Sequence, residues 1–478
     1  MKKKVLSVLL GSAMVVSLVA CGSKKEKETE TKPADDTTPA DDTTTPDAPV
    51  EDVVDPYTVI TDANGNPVDL GGMNIIIRDW WTKDEVVAPS NAFEEARDEY
   101  YAWIQETYNF TIKTVAISGW GTVPTDFADY VTLGGDDVNY VFTLRQGGEF
   151  MSAMNSGLMY DLSTLDCLDF SESKWSNGVH NLFSKNGAIY AMRGIAPEPR
   201  GGMFFNKRLL TEAGIDPESL YDLQASGEWT WDKFAEICAQ VQTDTDNDGV
   251  IDRYALTTFA SVFYTEAVAS NDAEFIGMED GKYVNKLESA ETLEALNWAL
   301  DMITKYNKTY DADAAWDYCF TAFKNGEGVF CADEAYNAEQ KWHDMADNFG
   351  FVCFPKGPKA ETYTNVYSDN PYVIPACYDA DRAWKIAFAY NLYTDPVPGY
   401  EDYATWKANY YNFYRDTEAV DETLQLLVDH GMVTYHSLIA GIDMGPQLIW
   451  GLNKDNTPAQ AAEATRDAWA AFLEEANK

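Results

Sequence analysis

The most constraining feature of this sequence is the alternation of short apolar runs with amphipathic segments over residues 73–143. Met73-Asn74-Ile75-Ile76-Ile77-Arg78 is an apolar run with no polar alternation. Such a run suits a strand covered on both faces, as in a parallel sheet. Between Asn91 and Asn109, the residues Phe93, Ala96, Tyr100, Trp103 and Ile104 recur at helical spacing. Phe110–Ile117 reads as a second strand and Phe127–Leu133 as a second helix, stopped by Gly134-Gly135. Val138–Thr143 reads as a third strand. A β-α-β-α-β order predicts a mostly parallel sheet with helices on its faces. Ligands of open α/β sheets sit beyond the carboxyl ends of the strands. The residues that follow those ends are Asp79-Trp80-Trp81, Ser118-Gly119-Trp120-Gly121 and Leu144-Arg145-Gln146. Trp80, Trp81, Trp120 and Arg145 are therefore candidate ligand contacts, with packing caps the alternative for the indoles.

A chain of 478 residues is too long for one hydrophobic core. Two domains or lobes are expected. The break falls in the stretch Tyr190–Leu256. There Gly194, Pro197, Pro199, Gly201 and Gly202 mark a change of path. Apolar Met203-Phe204-Phe205 follows, and Asn206-Lys207 opens a helix. The chain is expected to cross between lobes here, with Glu198 and Arg200 on the wall of the cleft.

The same stretch carries a family resemblance. It has a Tyr-led strand (Tyr190), a loop (Met192–Gly202), aromatics (Met203-Phe204-Phe205) and Asn206-Lys207 before a helix. Ala213-Gly214-Ile215-Asp216 comes next, then Thr230-Trp231-Asp232-Lys233-Phe234 at a helix start. In this order the elements resemble the extracellular solute-binding proteins of ABC transporters, family 1, the group that includes maltose-binding protein. The segment 321–342 and the last helix, opened by Thr457 as N-cap and Pro458 at N1, are also similar to that family.

The resemblance implies a two-lobed α/β, periplasmic-binding-protein-like fold of type II. Each lobe would be a mostly parallel sheet flanked by helices, joined by hinge crossovers. Residues 57–189 and 347–395 would form lobe 1; residues 190–346 and 396–478 would form lobe 2. Phe349–Pro355 would return to lobe 1. The implied function is capture of a sugar or oligosaccharide in the interlobe cleft and delivery to the transmembrane subunits of an ABC permease, by a monomer with no enzymatic activity. Tyr264, Glu334, Tyr336 and Asp443 are the cleft candidates from lobe 2. Trp229 and Trp231 are expected to pack. Competing readings are a surface glycoside hydrolase, a polysaccharide-binding adhesin and a peptide-binding protein.

Asp244-Thr245-Asp246-Asn247-Asp248-Gly249-Val250-Ile251-Asp252 puts Asp244, Asp246, Asp248 and Asp252 at the first, third, fifth and ninth places of an EF-hand-type loop. The twelfth place, which needs a bidentate Glu, is Ala255. An ordinary EF-hand is thus not expected. A looser structural Ca2+ site and a solvated acidic turn are the two readings, and no cofactor is required. His180, His343, His430 and His436 have no zinc spacing, and no GxSxG, P-loop or GxGxxG stands out. A formal net charge of −43 repels nucleic acid and anionic surfaces.

Lys2-Lys3-Lys4, apolar Val5–Val19 and Leu18-Val19-Ala20-Cys21 follow the order of a secretory signal ending in a box. The box resembles that of bacterial lipoproteins, which implies removal of residues 1–20 and lipid attachment to Cys21. The protein would then be anchored to the membrane on its extracytoplasmic face without spanning it. Residues 21–56, with the near-repeat PADDTTPADDTTTP, lack the apolar content to fold and read as a tether. The other six cysteines show no CxxC, allow fifteen pairings, and are expected to be mostly free thiols.

Overall fold

The computed structural model describes residues 57–478 except 84–87, 176, 195–199, 311–312, 368–369 and 402–404. The expectations for the signal segment, Cys21, the tether and Glu198 lie outside the described residues. Pro56–Lys478 forms one compact unit.

The strands that position the site are, in chain order, β1 (Met73–Asp79), β2 (Phe110–Ala116), β3 (Asn139–Thr143), β4 (Gly201–Asn206) and β5 (Tyr254–Leu256), followed by β6 (Gly328–Glu334), β7 (Phe349–Val352), β8 (Asn365–Tyr367), β9 (Tyr372–Val373) and β10 (Gly431–Val433). The first sheet has the order β9-β3-β1-β2. β1 runs parallel to β2 and β3, with Ile75 opposite Ile112 on one side and Asn139 on the other. β9 closes the edge antiparallel. Successive side chains of a strand point to opposite faces. Val141 accordingly joins a core with Ile75, Ile77, Tyr100 and Ile104, while Phe142 joins another with Val123, Phe127 and Phe150. Helix α1 (Ala92–Thr107) covers the first face, and α2 (Val123–Thr132) and α3 (Gly148–Asn155) cover the second. Because the connections leave β1 and β2 on opposite faces, the carboxyl end of β1 is a switch point in strand order, the position where open sheets form a crevice.

The second sheet has the order β7-β4-β6-β5. β4 is antiparallel to both neighbours, while β6 and β5 are parallel. Three strands thus share a direction and the entering strand opposes them. A chain arriving from the first sheet enters at the end where β5 and β6 finish, so it must run against them. Its core holds Phe204, Trp229, Phe234, Phe263, Phe330, Phe351 and Trp469. Trp229 and Trp231 pack as expected: the Trp229 indole N–H donates to the Cys353 carbonyl at 2.7 Å, and Trp231 stacks on Trp298 with centroids 4.2 Å apart. The Thr230 hydroxyl accepts from the Lys233 N–H, and Thr457 with Gln460 makes a capping box.

One connection differs from expectation. β7 does not return to the first sheet; it pairs with β4, Phe351 opposite Phe204. A boundary at residue 347 is therefore corrected: the second sheet keeps the chain through Val352, and its core keeps Tyr363. The apolar run Phe349–Val352 is buried on both faces, and β4 offers it an unpaired edge inside the same core. Cys167, Cys238, Cys319, Cys331, Cys353 and Cys377 carry free thiols.

Candidate functional site

Parallel pairing brings the ends of β1, β2 and β3 to one edge. The Asp79 carbonyl accepts from the Ile117 and Ser118 N–H groups, and its buried carboxylate accepts from the Thr82 N–H at 3.2 Å and the hydroxyl at 2.5 Å. Arg78 donates to the Ser118 hydroxyl at 2.9 Å and meets Asp126 at 3.4 Å. These bonds fix the turns that carry the aromatics. Trp80 packs partly into the α2–α3 core, and Trp81 stands edge-on to it, 4.8 Å between centroids and 40% exposed. Trp120 is 62% exposed. The Arg145 guanidinium lies 4.5 Å from the Trp120 ring centroid and bonds Glu149 at 2.9 Å. A cation over an indole face holds the ring in one orientation. The sequence-predicted set Trp80, Trp81, Trp120 and Arg145 is thus gathered at one edge.

The second edge follows from the β4–β6 register, which sets Glu334 opposite Gly201. Arg200, with its side chain 8% exposed, meets Glu334 at 3.4 Å and lies 5.6 Å from the Tyr336 ring centroid. Asp333 is buried and accepts from the Glu334 N–H and the Asn337 side-chain amide at 2.7 and 2.9 Å. Burial pushes its carboxyl up to about 7. Burial, then the Glu334 charge, raises the Tyr336 phenol. Arg200, Glu334 and Tyr336 are therefore one polar cluster.

The two edges are connected. Lys83, just past Trp81, comes within 3.8 Å of Glu339, just past Tyr336. Gln146 donates to the Ser437 hydroxyl at 2.8 Å. Gly148 lies under the backbone of Ile439–Gly441, where a Cβ would sit 3.5 Å from the Ile439 carbonyl oxygen. The C-terminal segment thereby crosses to the first edge.

Two of the remaining candidates have other roles. Tyr264 is corrected to a core residue: it is 2% exposed on α4 (Ala260–Ser270), a helix apolar on most of its circumference. Asp443 is exposed and caps the short helix Met444–Gln447, accepting from the Gly445 N–H at 3.2 Å. Two exposed indoles escaped the sequence reading. Trp450 is 74% exposed and lies against Gly445, where a Cβ would meet its ring at 2.7 Å. Trp316 is 71% exposed, with the Lys341 ammonium 5.4 Å from its centroid. Trp316 sits in an acidic stretch that could have marked it, whereas Trp450 lies between Leu448-Ile449 and Leu452 and gave no such signal.

In the acidic loop, Asp244, Asp246 and Asp252 each bring an oxygen within 4.8 Å of the others, while Asp248 stands outside that group. Asp244 accepts from the Gly249 N–H at 2.8 Å and Asp252 from the Thr245 N–H at 2.6 Å. Hydrogen bonds from Thr245 hold the Asp252 carboxyl below the usual range. Ala255, at the twelfth place, is buried in β5 and offers no side-chain oxygen.

Comparison with known proteins gives the wider frame. Among the described residues no helix is long and apolar enough to cross a membrane. No curated protein matches the sequence. Solved structures do. UgpB from Mycobacterium tuberculosis, in complex with glycerophosphocholine, has a TM-score of 0.57 at 17% identity over 80% of this chain and 95% of that one. The GacH receptor of Streptomyces glaucescens, solved unliganded and with acarbose, has 0.56 at 16% identity over 84% and 99%. An ABC substrate-binding protein of Listeria monocytogenes in complex with cycloalternan has 0.56 at 15% identity over 84% and 98%. These likenesses establish the two-lobed type II periplasmic-binding-protein fold. The family model described as bacterial extracellular solute-binding protein matches residues 105–387, more than half of the chain, and the chain belongs to that family.

Proposed function

We propose that the protein is the substrate-binding component of an ABC importer, capturing a neutral sugar or oligosaccharide between the two edges and passing it to the transmembrane subunits of a permease. Lipid on Cys21 and the segment 21–56 would hold it near the membrane. Lobe 1 is taken as 57–189 with a return after Tyr363, and lobe 2 as the second sheet with the C-terminal helix. Ligand contacting both edges would favour the closed form.

The carrying observation is the pairing of exposed indole with already satisfied arginine. Trp81 and Trp120 offer flat apolar faces, which suit the C–H faces of a sugar ring. Arg78, Arg145 and Arg200 each have a carboxylate partner, Asp126, Glu149 and Glu334. Guanidiniums so engaged favour hydroxyl groups over a carboxylate or phosphate, whose binding would add charge beside Glu149 and Glu334. Structures of similar fold hold acarbose and cycloalternan, and one holds glycerophosphocholine, so the edges and not the fold must select. A thermal-shift screen of sugars, phosphorylated sugars, amino acids and peptides is the test. Neutral oligosaccharides should raise Tm and be recovered unchanged. Stabilisation only by peptides or anions would overturn the reading, and release of cleaved sugar would point to the hydrolase.

The acidic loop supports a second, separate reading as a structural Ca2+ site, because Asp244, Asp246 and Asp252 converge. Ca2+ at about 100 times its Kd would stabilise by ~2.7 kcal/mol. The expected result is a rise in Tm with Ca2+, reversed by chelator and absent in Asp244→Asn. No shift at millimolar Ca2+ would leave the loop an acidic turn.

A further inference from the structure

The chain passes between the sheets three times, and the described residues that flank the first two passages are tied together on both sides. At the first sheet, Met192 and Tyr372 exchange backbone hydrogen bonds, each 3.0 Å, and Arg193 donates to the Asn370 carbonyl at 3.2 Å. At the second sheet, the outgoing segment enters β4 at Gly201 and the returning one leaves from β8. Glu266 of α4 reaches both. A Cβ on Gly201 would sit 1.7 Å from Glu266 Oε1, so the carboxyl occupies the side-chain space that the glycine leaves open. The backbone at Val366 hydrogen-bonds the same carboxyl. Glu266 is 4% exposed and its Oε2 has no hydrogen-bond partner.

Apart from the Val366 backbone, whose bond favours the anion, the groups facing this carboxyl make an anion unwelcome. Asp333 and Glu334 of β6 approach it, and Cys353 after β7 feels its charge. The neighbouring cation, Arg200, is directed to Glu334. Burial pushes the Glu266 carboxyl up to about 8; the Val366 hydrogen bond opposes the rise, and Glu334 and Asp333 add to it.

We propose that Glu266 is a proton-dependent clamp on the hinge, holding the two connecting segments together in its neutral form and releasing them when it ionises. The proposal depends on the two-lobed fold and not on which ligand binds. Linkage gives the sign. The clamped state binds the proton more tightly than an opened state, in which the carboxyl meets water. Clamping is complete below the ordinary carboxylate range and weakens as pH rises through that range to about 8, then levels. Over that window each pH unit raises the opened fraction about tenfold per proton released.

Hydrogen exchange at the Gly201, Gly202 and Val366 amides, corrected for intrinsic rate, tests this on the ligand-free protein between pH 5.5 and 9. In the wild type, the corrected opening should rise by about tenfold per pH unit and then level. Glu266→Gln keeps the shape without the charge and should reduce the slope by one proton. Any remainder should vanish with Asp333→Asn added, because that carboxyl is also raised. An unchanged slope in Glu266→Gln would overturn the proposal. If that variant does not fold, Gly201→Ala is compared alone and with Glu266→Ala. The methyl group should be better tolerated once the carboxyl is gone, and equal loss of Tm in both backgrounds would also overturn it.

Discussion

The edge of the first sheet and the edge of the second are built for different work. The first presents exposed indoles, Trp81 and Trp120, with Arg145 laid on the latter from a strand end. The second keeps its polar groups inside: Arg200, Asp333 and Glu266 are each under a tenth exposed. The first can lose a side chain with little strain on the fold, because its rings are not part of a packed interior. The second cannot, because its groups are buried, with Arg200 paired to Glu334 and Asp333 bonded to the Glu334 N–H and Asn337. Substitutions at the first edge should therefore read as affinity, and those at the second as stability.

The largest effect is expected beneath the second edge. Phe204 is fully buried in β4 and touches Trp342, Phe349, Phe351 and Tyr414. Phe204→Ala should cost about 3–5 kcal/mol by denaturant unfolding, since the void can only partly collapse. A cost below about 1 kcal/mol would mean that β4 is not the centre of that core. At the rim, Glu334→Ala removes a partner of Arg200 and should cost about 1–3 kcal/mol, less than a fully buried pair because Glu334 is a third exposed. Glu334→Gln should recover part of this through a neutral hydrogen bond.

Trp120→Ala probes the other side of the comparison. Its Tm should stay close to wild type, within about 0.5 kcal/mol of stability. Affinity for the best oligosaccharide of the screen should fall about tenfold, or ~1.4 kcal/mol, by calorimetry. A large fall in Tm would place Trp120 with the second edge in kind, as a packing residue. Unchanged affinity would remove it from the ligand surface.

The same contrast explains what could be read from the sequence. The first sheet was legible because β1, β2 and β3 are consecutive and their helices local, so periodicity alone carries the order. The entry into the second sheet was legible from the Gly and Pro cluster before Met203-Phe204-Phe205. The place of β7 was not, since Phe349–Val352 is an apolar run that fits either sheet, and only a pairing nearly 150 residues distant in sequence decides it. Tyr264 failed for a related reason: α4 is apolar on too many sides for its solvent face to be read. Trp450 and Trp316 were missed because residue type does not reveal exposure, and both depend on what lies beneath the ring. Glu266 gave no signal at all, because its partner Gly201 is a residue without a side chain.

The smallest effect joins the two edges. Lys83 and Glu339 are 3.8 Å apart with side chains 78% and 45% exposed, one beside Trp81 and one beside Tyr336. An ion pair this open is screened and entropically costly to hold, so a double-mutant cycle of Lys83→Ala and Glu339→Ala should give a coupling of about 0.2–1 kcal/mol. The coupling should shrink as salt is raised from low ionic strength to 1 M, where the Debye length is about 3 Å. A coupling that is larger and independent of salt would mean that the pair is shielded when the lobes close. The cycle should then be repeated with ligand bound. Coupling that grows with ligand would show that the indole edge and the charged edge approach each other on capture. Coupling that stays constant would show that the contact belongs to the fold at rest and takes no part in closure.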